Sequence, residues 1–125
     1  VKIYKWTFLL THGDQVRGGS YGIPLYALLQ RMLRWATSMP FHWDVLCVGH
    51  WHCYGHIEQN HQELLVNGTL VSDDEYVRKN YGWDASTSQI IFGVHNKHKI
   101  AWVRKIDLLG VGNSNFIGGS EFRTL

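Results

Sequence analysis

A chain of 125 residues, 45% hydrophobic and 18% charged, has the size and composition of one folded domain with a core of its own, which excludes a disordered segment. It holds no uninterrupted apolar run near the roughly 20 residues that cross a bilayer, and Val1-Lys2-Ile3-Tyr4-Lys5-Trp6 lacks the layout of a secretory signal, so a soluble, cytoplasmic protein without membrane contact is expected. A net charge of +2 with scattered basic residues makes no footprint for nucleic acid; such a substrate is neither required nor excluded.

Residues 2 to 10 alternate polar Lys5 and Thr7 with apolar Tyr4, Trp6, Phe8 and Leu10, the period-2 pattern of a strand with one buried face, and that strand delivers His12 at its end. The glycine-rich Gly18-Gly19-Ser20-Tyr21-Gly22 follows. Pro24 with Leu25, Leu28, Leu29, Met32 and Trp35 then predicts an amphipathic helix over 23–38. Pro40 closes it, and Asp44-Val45-Leu46-Cys47-Val48 reads as a strand buried on both faces, with Cys47 a free, buried thiol rather than half of a disulfide. Further strands are expected at 54–58 and 63–66, a short helix at 73–80, and a hairpin from 89–94 and 100–106 joined by Asn96-Lys97-His98-Lys99. The tail 110–125, rich in glycine, asparagine and serine, shows no period and is expected to be loosely ordered beside a single domain over 1–109. Trp6, Trp35, Trp83 and Trp102 are read mostly as core, with Trp51, which stands between two histidines, the exception that faces substrate or caps the sheet edge.

Eight histidines are the place to look for chemistry. Gly49-His50-Trp51-His52 stands directly after the buried strand, where the backbone is fixed and the glycine permits a tight turn. In an extended segment i and i+2 project to one side, so His50 and His52 can address one metal or two adjacent ones. His12 also ends a strand, and adjacent parallel strands bring both ends to the same sheet edge, where α/β proteins place ligands.

Strand-His12-Gly13-Asp14 followed by strand-Gly49-His50-x-His52 resembles the last two motif blocks of the calcineurin-like metallophosphoesterases of phage and bacterial type. The resemblance runs on through Leu65-Val66-Asn67-Gly68-Thr69-Leu70 and Asp74-Glu75-Tyr76, and covers roughly residues 5 to 107. It implies a mixed, strand-rich α/β fold, half of a layered β-sandwich with one main and one short helix. It implies a two-metal hydrolase of phosphoesters, with His12 and His50 on one metal, His52 on the other, and Thr11, Gly13 and Asp14 as neighbours. Manganese or zinc is the expected ion, with iron a further candidate. Arg17, Trp51 and Asn67 are the positions expected to face substrate: Arg17 beside a glycine-rich loop, Trp51 between two ligands, and Asn67 in a tight turn.

The family's first three blocks, Asp-x-His, Gly-Asp-x-x-Asp and Gly-Asn-His, do not occur. Gly13-Asp14 is followed by Gln15-Val16-Arg17, so the bridging carboxylate and the catalytic histidine are missing. A C-terminal half is the simplest account, one that needs its N-terminal half or associates with itself through cut sheet edges. Two dications about 3.5 to 4 Å apart need bridging anions, which three imidazoles do not supply, so at most one metal is expected to bind well here, and the chain alone is expected to be inactive.

The rival reading is a non-catalytic module holding one zinc for binding or structure. A closed zinc site built from Cys47, Cys53, His56 and His61 is disfavoured, because their spacing matches no standard zinc pattern. His42, His95 and His98 sit in loop or turn contexts and receive no role.

Overall fold

The computed structural model describes residues 1–16, 25–71, 79 and 87–108. The elements are β1 (Lys2–Ile3), β2 (Trp6–Thr11), α1 (Leu25–Ser38), β3 (Val45–Val48), β4 (Gly55–Gln59), β5 (Gln62–Val66), β6 (Ser88–His95) and β7 (Lys99–Asp107). Five strands form one mixed sheet in the order β1-β2-β3-β5-β4, and β6 with β7 forms a separate hairpin. β2, β3 and β5 run parallel, while β1 and β4 are antiparallel additions at the two edges.

The side-chain period of two sorts these strands onto two covers. Leu46, Val48, Leu64 and Val66 face α1, where Leu28, Met32, Trp43 and Trp51 close the larger core. Phe8, Val45 and Leu65 face the hairpin and pack against Ile90, Phe92, Val94, Ile100 and Val103. Phe8 stacks on Phe92 with ring centroids 5.8 Å apart. The result is helix, sheet and hairpin in three layers, with β3 buried from both sides as its apolar run predicts.

Three expectations need correction. The segment 2–10 is not one strand: β1 turns back at Tyr4, whose φ is 54°, and pairs antiparallel with β2 through Lys2↔Thr7 and Ile3↔Trp6. Alternation alone cannot distinguish a long strand from two short ones joined by a tight turn. Trp102 is not core, being 49% exposed, because it lies on the outer face of β7 opposite Gly93. Its indole occupies the space a Cβ on Gly93 would need. The strand after the Gly-His-x-His run is Gly55–Gln59, one residue later than expected, and joins β5 through Asn60-His61, both at positive φ, as a two-residue hairpin requires. The helix is described from Leu25 to Ser38; its expected start at 23–24, the expected helix at 73–80 apart from Lys79, Trp83 and the tail 110–125 lie outside the described residues. Among the described residues no helix is long and apolar enough to cross a membrane.

Candidate metal centre

The parallel strands end in register at Thr11, Val48 and Val66, so the residues that follow them share one sheet edge. Backbone bonds continue the ladder beyond the strands. Gly49 N–H donates to the His12 carbonyl at 3.1 Å, and Asn67 N–H to the Val48 carbonyl at 2.9 Å. His12, His50 and Asn67 are thereby delivered to one edge by ordinary sheet geometry.

His12 Nε2 and His50 Nδ1 lie 3.1 Å apart, with the rings edge to face at centroids 4.8 Å. One imidazole donates to the other, so the two cannot both carry two ring protons at this distance. Two nitrogens bound to the same zinc at about 2.0–2.1 Å stand about 3.3 Å apart at the tetrahedral angle. The donor pair therefore has the separation of two ligands on one ion. Among the described residues no group of three or more histidine, cysteine or acidic side chains surrounds one metal position.

The route to this arrangement differs from the sequence expectation. His50 and His52 do not lie on extended backbone; both are left-handed, at φ 60° and 52°. Trp51 N–H donates to the Gly49 carbonyl at 2.6 Å, which closes a three-residue turn centred on His50. A β-carbon at such φ costs on the order of 1–3 kcal/mol, and strain of this kind gathers where side-chain placement matters to function. The turn swings His50 toward His12. His52 is close enough to act electrostatically on His50.

Trp51 is buried in the helix-side core and meets the His50 ring edge to face at 5.3 Å, fixing that ring from behind. Asn67 braces the hairpin: its Nδ2 donates to Gln89 Oε1 at 2.7 Å, and its Oδ1 accepts from Ile90 N–H at 2.9 Å. Arg17 lies outside the described residues. The cysteines are free, and burial pushes the Cys47 thiol up to about 11 and raises that of Cys53, which disfavours the thiolates a closed zinc site would use. His56 is engaged elsewhere, 2.8 Å from the Glu63 carboxylate.

The His50 pKa is lowered from 6.5, chiefly by burial and next by His12, with Asp14 opposing and His52 adding to the fall. The lowered pKa favours the neutral imidazole of His50. A depressed histidine adds stability that is present above its unfolded pKa and is lost as pH falls through the folded value. The NMR titration of His50 is expected to have its midpoint below 6.5 and to move upward in His12→Gln.

Gly13 supports the same turn. Its φ is 100°, and a Cβ there would stand 3.4 Å from Val48 Cβ and 3.5 Å from Trp51 Nε1. Backbone strain therefore dominates over crowding, and Gly13→Ala is expected to cost about 1–2 kcal/mol in urea denaturation while broadening the His12 and His50 resonances.

No family model matches the chain, and neither does any of the curated proteins. Among solved structures it is similar to wild-type Vps29 of Entamoeba histolytica complexed with Zn2+, at TM-score 0.52 and 19% identity over 86% of this chain and 58% of that one. It is likewise similar to an aspartate-to-alanine single mutant of Vps29 from the same organism, at TM-score 0.53, 19% identity and the same 86% and 58% coverage. The chain thus spans 58% of the length of the Vps29 chains it resembles. At this identity the likeness is one of fold, and the fold is metallophosphoesterase-like: a strand-rich α/β arrangement of one described helix, a mixed five-stranded sheet and a hairpin.

Proposed function

We propose that this chain is the C-terminal part of a metal-dependent phosphoesterase and supplies histidine ligands to its metal site. The observation that carries the reading is the His12–His50 nitrogen pair, 3.1 Å apart at the carboxyl edge of a parallel sheet and held there by a left-handed turn. The resemblance of both motif blocks and the fold shared with a zinc-bound Vps29 support it. His12 and His50 would hold a divalent ion, manganese or zinc, whose chemistry there would be water activation and charge neutralisation of a phosphoester. His12 and His50 hold one ion through neutral nitrogens, and His52 is the ligand toward a second. Trp51 fixes the His50 ring, and Asn67 braces the adjoining hairpin.

Carboxylates must come from elsewhere, because neutral imidazoles do not offset the repulsion of two dications. β1 covers the outer edge of β2 only as far as Phe8, and Leu10 is 59% exposed, so a complementary segment or a second copy has a strand edge to join. The test is hydrolysis of bis(p-nitrophenyl) phosphate with manganese, with and without an added N-terminal segment carrying Asp-x-His, Gly-Asp-x-x-Asp and Gly-Asn-His. Turnover only in the reconstituted pair, and its loss in His50→Ala, is the expected result. A second reading, one zinc bound without catalysis, is favoured by Asp14 being the one carboxylate among the described residues that acts on His50; it is distinguished by metal binding with no turnover after reconstitution.

A further inference from the structure

A basic groove lies between the segment that follows His12 and one face of α1. It has a volume of about 240 Å³ and is lined by Gln15, Val16, Ala27, Gln30, Arg31 and Arg34. The four helical residues occupy one face of α1 at i, i+3 and i+4 spacings, and the loop leaving His12 forms the opposite wall. Buried Val16 and the small Ala27 supply its apolar lining.

The donors are arranged before any ligand arrives. Arg31 donates to the Gln15 carbonyl at 2.9 Å, and its guanidinium lies over the Trp35 ring at 5.6 Å, so one of five N–H groups is spent on fixing the fork. Arg34 stands one turn on with an exposed side chain. Neither arginine is paired with a carboxylate among the described residues. Thr11 Oγ1 donates to Gln15 Oε1 at 3.0 Å, which ties the groove wall to the last residue of β2, immediately before His12. The volume is below the roughly 300 Å³ at which sites hold a drug-sized molecule, so the groove suits a single small anionic group. Two forked cations with two carboxamides match phosphate, which arginine binds bidentately.

We infer that this groove binds a second phosphate of the substrate, separate from the one at the histidine pair, and so selects phosphoesters carrying more than one phosphate. The assignment of the ligand as substrate rests on the phosphoesterase reading; the groove's affinity for phosphate does not. Inorganic pyrophosphate is therefore titrated into metal-free protein in EDTA at low salt, with backbone and arginine Nε resonances followed by NMR. The expected result is movement of Gln15, Arg31 and Arg34 signals, affinity about tenfold weaker in Arg34→Ala and little changed in His50→Ala, and further weakening with added salt. Arg34→Ala is the primary variant because the side chain is exposed; Arg31→Gln, which also loses a bond to the loop, is the second. Tighter binding of a 5′-phosphorylated dinucleotide than of pyrophosphate identifies nucleic acid as the source of the phosphate, and equal binding a small phosphorylated compound; both uphold the groove. Absence of pyrophosphate binding, indifference to Arg34→Ala, or loss in His50→Ala overturns it. Such a failure leaves metal binding at the histidines standing, since no metal is present.

Discussion

Lys99→Met is expected to lower the unfolding free energy by about 3 kcal/mol, with an unchanged slope in urea. Glu63 sits on the hairpin-facing side of β5, an interior strand next to the edge strand β4, and is 5% exposed, and Lys99, at the start of β7, is 8% exposed. Their charged groups stand 3.4 Å apart, His56 meets the other carboxylate oxygen at 2.8 Å, and the Lys99 ammonium also donates to the His61 carbonyl. A carboxylate this deep is costly unless paired, and removing its cation leaves the cost uncompensated. The three residues tie β4, β5 and β7 together, which anchors the hairpin to the sheet at the end opposite the histidines. The double variant Lys99→Met, Glu63→Leu is expected to recover part of the loss, because the buried carboxylate and its cation go together while His56 and the His61 carbonyl lose a partner. A loss below about 0.5 kcal/mol in the single variant would show the ammonium to be solvated rather than paired.

Zinc at about one hundred times its wild-type dissociation constant is expected to raise the unfolding free energy by about 2.7 kcal/mol, and by no more than about half as much in His12→Ala and His50→Ala at the same zinc concentration. The pair stands ready at 3.1 Å, so binding does not have to reorganise the backbone, and the strain of the left-handed turn at His50 is already present in the metal-free fold. Protons compete for the same nitrogens. With the His50 pKa lowered from 6.5, the zinc effect persists to a lower pH than an ordinary histidine would allow, then falls away as pH drops through the folded-state value. Stabilisation by zinc that is the same in wild type and both variants would place the ion elsewhere.

The parts legible in the sequence are those where a single rule dominates. The run Val45–Val48 is apolar throughout, and only a strand covered on both faces tolerates that composition; β3 is such a strand. The convergence of His12 and His50 follows from two strands ending in register at one edge, and the sequence places both histidines just past a strand. Local backbone was harder to read. Tyr4, His50, His52, Asn60, His61 and Lys99 all take positive φ without being glycine, and no pattern of side-chain polarity reports that. The i, i+2 argument for His50 and His52 assumed extended chain, whereas the contact with His12 arises from the turn. Trp43 drew no attention as the residue before Asp44, yet it is among the largest fully buried side chains. Its carbonyl accepts from the buried Gln62 amide at 3.1 Å, a long-range bond that only the fold reveals. Trp102 shows the converse: periodicity places it on one face of β7, but which face meets the core is decided by the sheet beneath.

The central claim, that His12 and His50 are two ligands of one metal, is tested most directly by calorimetric titration of metal-free protein with zinc and with manganese, comparing wild type with His12→Ala and His50→Ala. The account predicts about one site per chain in wild type, weakened at least tenfold by each substitution alone, with protons released as binding proceeds below pH 6.5. Absent binding, or binding indifferent to both substitutions, would contradict it and leave the histidine contact as a hydrogen bond within a metallophosphoesterase-like fold.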